Sequence, residues 1–147
     1  MADRLHIDVN DRELYDKIEE QEMFKGRTRK EQFLFAMALG VRNDITIPLR
    51  TREGFFLAKD LRPEDEALIN AVVLWHEGSV DILSDKEKAY KIAEEYAHAG
   101  IKLLVDKIES VEFGSFWKQF EKELYETYEK FSLEINKNDK ESFISRT

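Results

Sequence analysis

The residues with the clearest chemistry in this sequence are four basic side chains around a predicted helix start at Thr28. They are Lys25, Arg27, Arg29 and Lys30. Thr28 followed three residues later by Glu31 is a capping box, which predicts that a helix begins here. The free backbone N–H groups and the positive dipole end of such a helix form an anion site, and phosphate is a suitable anion. The alternative is that these side chains are solvated groups beside an ordinary capped helix.

Positive charge is concentrated in this part of the chain. Residues 25–52 hold seven basic residues and two acidic ones, a local balance of +5, in a chain whose formal net charge is −8. The remainder therefore carries −13. A local cationic patch on an acidic protein predicts attraction of a polyanion at that patch, because the rest of the surface opposes it. Arg50 and Arg52 extend the patch if the fold brings them to the same face.

The elements that must position this patch begin with a short strand. Its apolar residues alternate with polar ones in the period of a half-buried strand: Leu5, Ile7 and Val9. A helix capped by Asn10 follows, and the helix after Thr28 is apolar on every side until Gly40, its predicted end. Strand, helix, basic turn and helix over residues 4–40 is the order of a ribbon-helix-helix-like unit.

In a ribbon-helix-helix unit, two chains pair their strands into a ribbon that enters the major groove of DNA. Arg4 and His6 would then donate hydrogen bonds to base edges, whereas Asp8 would be repelled by phosphates unless it accepted from a cytosine amine. Because one strand cannot satisfy its own edge, this arrangement predicts a homodimer. The alternative is that the strand pairs inside its own chain with a predicted hairpin in residues 41–60.

The chain after the hairpin predicts a helical body over residues 61–135. A first helix runs from Pro63 to Gly78, and its apolar residues are Ala67, Leu68, Ala71, Val72 and Trp75. The next helix starts at a capping box of Ser84 and Glu87. Gly100 inside that helix predicts either a close helix crossing or a kink.

A last helix is predicted from Ser115, with aromatic residues on one stripe that is typical of a core or a subunit interface: Phe116, Trp117, Phe120, Tyr125, Tyr128 and Phe131. Residues 136–147 are polar and predict a flexible tail. The predicted fold class is mainly α with a small β component, and 147 residues predict a single domain over residues 1–147.

The sequence assembles no catalytic or metal site. Glu95 and His98 have the Glu-x-x-His spacing of carboxylate di-iron bundles, but those sites need a second copy that is absent here. There is no Cys, no Gly-rich phosphate loop and no nucleophile elbow, and only three His. We therefore expect no enzyme activity, no cofactor and no bound metal. Without a long apolar run or a secretory segment, we also expect no membrane contact and a cytoplasmic location.

Five stretches of the sequence together carry a resemblance to a known family. They are Phe24-Lys25-Gly26-Arg27-Thr28, the run from Phe33 to Gly40, Arg52-Glu53-Gly54-Phe55, the run from Asp65 to Ala71, and the run from Ile92 to His98. From about Leu5 to Phe131 the chain resembles the fourth family of Dnd-system-associated proteins, which are encoded beside DNA phosphorothioation and restriction genes. The resemblance implies a role in defence against foreign DNA, with partners of the Dnd system that handle DNA.

Two functions fit these features. The first is a non-enzymatic accessory protein of a DNA modification or restriction system that binds DNA through a basic patch and the strand: Lys25, Arg27, Thr28, Arg29, Lys30, Arg50, Arg52, Arg4 and His6. The second is a protein–protein interaction module whose acidic helical body docks on a basic partner, without nucleic-acid binding. The local balance of +5 favours the first function, and the net charge of −8 favours the second.

Overall fold

The computed structural model describes residues 2–110, 121–127 and 129–130. It divides into two compact units, residues 1–109 and 110–147, and each unit is described by itself. The described chain is mainly helical with a small two-stranded sheet, which confirms the predicted fold class. The elements in chain order are β1 (Arg4–Asp8), α1 (Arg12–Glu19), α2 (Arg29–Arg42), β2 (Arg52–Leu57), α3 (Pro63–Glu77) and α4 (Lys86–Ser110).

The sheet pairs β1 with β2 of the same chain. The two strands are antiparallel, with Arg4 opposite Leu57, Asp8 opposite Arg52, and a bulge after Leu5. In a ribbon-helix-helix unit, the first strand instead pairs with the same strand of a second chain. Because β1 takes its partner from its own chain, the ribbon-helix-helix-like unit is not confirmed.

The hairpin predicted for residues 41–60 does not form, because only its second arm is a strand. The backbone N–H of Ile47 donates to the carbonyl oxygen of Glu95 on α4 at 3.2 Å, and Pro48 has no N–H to give. This stretch therefore cannot supply a ladder of hydrogen bonds to β2, and β1 supplies it instead.

The cap of the first helical segment is Asp8, where the sequence predicts Asn10. A 3₁₀ turn, Val9–Asp11, precedes α1, and the Asp8 carboxylate accepts from the backbone N–H of Asn10 at 3.0 Å. The cap of α4 also differs from the predicted Ser84: it is Asp85, one residue later, which accepts from the N–H of Lys88. In each case a good capping residue within two positions of the predicted one is used.

Two glycines mark the crossing of α2 and α4. A Cβ atom on Gly40 would lie 2.1 Å from the carbonyl oxygen of Tyr96, and one on Gly100 would lie 1.7 Å from that of Ala36. Gly40 is therefore a contact inside α2, which continues to Arg42, and the predicted helix end at Gly40 is wrong. Of the two alternatives for Gly100, the close crossing is the one that forms.

The predicted bounds of the helix after the second strand are confirmed. Pro63 opens α3, and Gly78 ends it in the left-handed conformation with φ of 74°. In the second unit, residues 121–127 and 129–130 are helical, and Tyr125, a residue of the predicted aromatic stripe, is exposed. The rest of the predicted aromatic stripe and the predicted tail of residues 136–147 lie outside the described residues. Among the described helices, none has the length and apolar character that crossing a membrane requires.

Candidate functional site

The basic segment, residues 25–30, leads into the start of α2, where Thr28 caps the helix as predicted. The Thr28 hydroxyl accepts from the backbone N–H of Glu31 at 3.2 Å and donates to the Glu31 carboxylate at 3.1 Å. Burial raises the pKa of Glu31, but hydrogen bonds from Thr28 and the charge of Arg27 outweigh it and lower the pKa. A carboxylate of the chain itself therefore lies at the positive end of α2, where the sequence predicts a phosphate.

Both arginines of the basic segment are paired with carboxylates of the same chain. Arg27 lies 3.3 Å from Glu31. Arg29 reaches α1, where it lies 2.8 Å from Asp16 and 3.4 Å from Glu19. Exposed ion pairs are weak individually, but they offset the positive charge that an approaching phosphate would meet.

Lys30 forms the most buried ion pair of the basic segment. Its Nζ lies 2.8 Å from the Asp65 carboxylate, and the two side chains are 13% and 12% exposed. It also donates to the carbonyl oxygen of Asp60 at 3.3 Å. The hydrogen bond from Lys30, with the N–H of Arg62, lowers the pKa of Asp65 although burial opposes this. Lys30 thus joins the start of α2 to the start of α3.

Lys25 and Arg50 differ from these three residues. Their side chains are exposed, and within the described part of the chain neither has an acidic partner. The backbone of Arg50 is anchored, because its N–H donates to the Asp8 carboxylate at 2.9 Å. These two cations therefore remain available to an anion from outside.

His6, a predicted base-reading residue of β1, and Arg52 of β2 lie against a buried carboxylate, that of Glu94 on α4. One Glu94 oxygen accepts from two nitrogens of Arg52 at 2.7 and 3.2 Å. The other accepts from the backbone N–H of His6 at 2.8 Å and lies 3.0 Å from its Nδ1. Arg4 is not part of this cluster in the described residues: its side chain lies over Gly54, and its Nε is 3.7 Å from Asp3. Arg52 and His6 thus pair with a buried carboxylate of their own chain.

Asp8, which the sequence predicts to face outward, is buried. Its carboxylate accepts from three backbone N–H groups, those of Asn10, Arg50 and Thr51. Burial raises the pKa of Asp8, but these hydrogen bonds lower it overall. Asp8 therefore holds the chain before β2 against the end of β1, and it is not placed to meet a base edge.

A second buried cluster links α4 to the 3₁₀ turn before α1. Nδ1 of His98 is hydrogen-bonded to the Asp11 carboxylate, and Nζ of Lys102 lies 3.1 Å from Nε2 of the same ring. An ammonium can only donate, so this arrangement suits an imidazole that donates from Nδ1 and accepts at Nε2. The cluster is invisible in the sequence, because its acid and its histidine are 87 residues apart.

The Glu-x-x-His pair does not form a metal site in the described part of the chain. His98 is bonded to Asp11, while the backbone carbonyl of Glu95 accepts from Ile47. Over the described residues, no group of three or more His, Asp or Glu is placed to hold a metal ion.

The outward face of α3 is apolar, which the sequence does not predict. The outer stripe, as we call Leu68, Ala71 and Trp75, is exposed, with 43% of Leu68 and 58% of Trp75 accessible to solvent. The inner face of α3 buries Ile69 and Val73 instead. The sequence identifies the apolar residues of α3, but it does not show which of them are buried in the core.

The chain matches the model of a known protein family. The family model described as DNA sulphur modification system-associated protein 4 matches residues 4–138. The chain belongs to this family. No curated protein and no solved structure matches the chain.

Membership in the family confirms the resemblance found in the sequence. It associates this protein with a DNA sulphur modification system, and it assigns no residue a role. The structure gathers Arg52 and His6 around Glu94, and it ties Arg27, Arg29 and Lys30 to separate carboxylates. The DNA-binding role of the predicted residues stays a prediction.

Proposed function

We propose that this protein is a non-enzymatic accessory component of a DNA sulphur modification system that acts by binding other proteins of that system. The observation that carries the proposal is a contrast between two surfaces. Three cations of the basic segment are neutralised within the chain, whereas the outer stripe exposes apolar side chains. Exposed apolar surface is typical of protein–protein contact, and neutralised cations are poor phosphate ligands.

The non-enzymatic part of the proposal is supported by how the buried ionisable groups are used. Both carboxylate oxygens of Glu94 accept hydrogen bonds from the chain itself. Asp11 and Lys102 both contact the ring of His98. Groups whose hydrogen bonds are satisfied by neighbours hold elements together, and little of their capacity remains for a substrate.

DNA binding is the second candidate function, and one observation favours it. Lys25 and Arg50 are exposed without an acidic partner among the described residues, and Arg4 and Arg52 are about half exposed near the sheet. Lys25 and Arg50 would make phosphate contacts that are independent of base sequence and weaken steeply with salt, and Arg4 and Arg52 would add to them only by leaving Asp3 and Glu94.

The two functions are separated by measuring both activities on the full chain. In the first measurement, the protein is co-expressed with the other proteins of its DNA sulphur modification system and the complexes are resolved by size-exclusion chromatography. We expect it to co-elute with at least one of them at physiological salt. In the second, duplex DNA is titrated at low salt, and we expect binding too weak to survive physiological salt.

If DNA binding is seen, paired variants test whether the unpaired cations carry it. Loss of binding in Lys25→Ala with Arg50→Ala, with a salt slope smaller by about 0.9 for each lost phosphate contact, would establish the DNA function. Arg27→Ala with Lys30→Ala is the matched control, because those cations are already paired in the chain. DNA binding of this kind, together with failure to co-elute with any protein of the system, would refute the proposal.

A further inference from the structure

The outer stripe has the geometry of one face of a helix. Leu68, Ala71 and Trp75 are spaced three and four residues apart, so they lie in one row about 10 Å long. A surface helix ordinarily turns its apolar residues inward and polar residues outward. α3 is apolar on both sides, because its inner side already buries Ile69 and Val73. The outer stripe is therefore not needed to hold α3 on the core.

Trp75 is a pre-organised contact residue. The centroid of its ring lies 6.5 Å from the ring centroid of Tyr96, a buried residue of α4, although more than half of Trp75 is exposed. Tyr96 is itself held, because its hydroxyl lies 2.8 Å from Nδ1 of His76. A large aromatic side chain on a rigid support loses little conformational entropy on binding, which is why tryptophan is enriched at the centres of interfaces.

The segment of the chain that carries the outer stripe is acidic. Residues 63–85 contain six acidic residues and no Lys or Arg. Two of the six are already used, since Asp65 pairs with Lys30 and Glu66 accepts from the Tyr90 hydroxyl at 2.6 Å. Three others are exposed and have no basic partner among the described residues: Glu64, Glu77 and Asp81.

We propose that the outer stripe docks a basic amphipathic helix of a partner protein, an inference that rests on the proposed function. The partner helix presents large apolar residues at helical spacing, with Lys or Arg on both sides of them. A second copy of this chain is a poor occupant, because a symmetric contact would bring two acidic surfaces together. DNA and anionic lipid are repelled for the same reason.

The test uses three synthetic helical peptides of about 20 residues, long enough to form a helix on binding. The first has leucines on one face and lysines elsewhere, the second has the same leucines with glutamates, and the third has the lysines with alanines in place of leucines. The reporter is the fluorescence of Trp75, measured in full-length protein carrying Trp117→Phe so that Trp75 is the only tryptophan. We expect the leucine–lysine peptide to bind and to shift the Trp75 emission to shorter wavelength.

Matched variants locate the binding. Leu68→Ser should weaken the affinity for the leucine–lysine peptide by roughly 5- to 30-fold, the effect of losing one buried leucine contact. Val9→Ser is the control, because Val9 has the same 43% exposure but lies outside α3, and it should leave binding unchanged. Glu64→Gln with Asp81→Asn should weaken binding at low salt. Glu20→Gln with Glu22→Gln, which removes two exposed acids elsewhere, should not.

Several results would overturn the inference. One is that the leucine–glutamate peptide binds as tightly as the leucine–lysine peptide. Another is that Leu68→Ser and Val9→Ser weaken peptide binding equally. The last two are Trp75 emission that is already shielded from solvent in the free protein, and self-association of the protein that Leu68→Ser abolishes. Circular dichroism of each variant shows that it is folded. If Leu68→Ser binds a protein of the system as tightly as the wild-type protein does, this inference fails while the proposed function stands. If the peptide binds as expected but wild-type protein co-elutes with nothing, the proposed function fails instead.

Discussion

The basic segment and the outer stripe of α3 differ in whether their side chains have partners inside the chain. Arg27, Arg29 and Lys30 carry charges that suit an external phosphate, yet each lies within 3.3 Å of a carboxylate of this protein. Leu68 and Trp75 suit a core, yet both are exposed. The comparison teaches that a residue type does not show whether its interaction is made within the molecule or left for a partner.

The largest test of this comparison uses two adjacent residues of α3. Ile69 is fully buried, whereas 43% of Leu68 is exposed. We expect Ile69→Ala to lower the free energy of unfolding by about 2–5 kcal/mol, because it leaves a cavity in the core. Leu68→Ala should change it by less than about 0.5 kcal/mol. Urea unfolding followed by circular dichroism measures both, and a larger loss for Leu68→Ala would place the outer stripe in the core.

The next test asks whether the basic segment stabilises its own chain. Lys30→Ala should lower the free energy of unfolding by about 1–3 kcal/mol, because the Asp65 carboxylate, mostly buried, loses its ammonium partner. Lys25→Ala, an exposed lysine of the same segment, should change it by less than about 0.5 kcal/mol.

A double-mutant cycle isolates the pair of Lys30 and Asp65. Lys30→Ala combined with Asp65→Asn should lower the free energy of unfolding by less than the sum of the two single changes, because the double variant leaves no uncompensated charge. Strict additivity would mean that the pair contributes nothing, and the cation would then be available to a phosphate.

The smallest expected effect is a dependence of stability on pH. The pKa of Asp8 and that of Asp65 are lower in the folded protein than their ordinary values. Each carboxylate therefore contributes stability above the unfolded pKa of about 3.9, and this contribution is lost as the pH falls through the folded pKa. The urea concentration at the unfolding midpoint should decrease as the pH is lowered from about 5 to about 3. Asp65→Asn should make this decrease smaller. The effect of Ile69→Ala should not depend on pH, and a flat wild-type curve would count against the role given to these carboxylates.

Local signals in the sequence were sufficient for several parts of the fold. The cap at Thr28 and the helix from Pro63 to Gly78 each depend on a residue type and its neighbours in sequence. The strand at Leu5 and Ile7 is a pattern of the same kind. Such signals act over a few residues, so they survive whatever the rest of the chain does.

The partners of those elements could not be read in the same way. The ribbon-helix-helix interpretation depended on which strand pairs with β1, and that strand comes more than forty residues later in the chain. The roles of Asp8 and His98 also depended on groups brought from distant positions. Only the packed chain decides which of several chemically suitable partners lies within hydrogen-bond distance.

The sequence by itself determined that this protein is mainly helical, that it belongs to a family associated with DNA sulphur modification, and that its positive charge is concentrated in residues 25–52. The tertiary structure alone decided that Lys30 pairs with Asp65 and that Trp75 faces outward. The physical reason is that helix formation and net charge are sums over local residues, whereas ion pairing and burial depend on which surfaces meet when the chain folds.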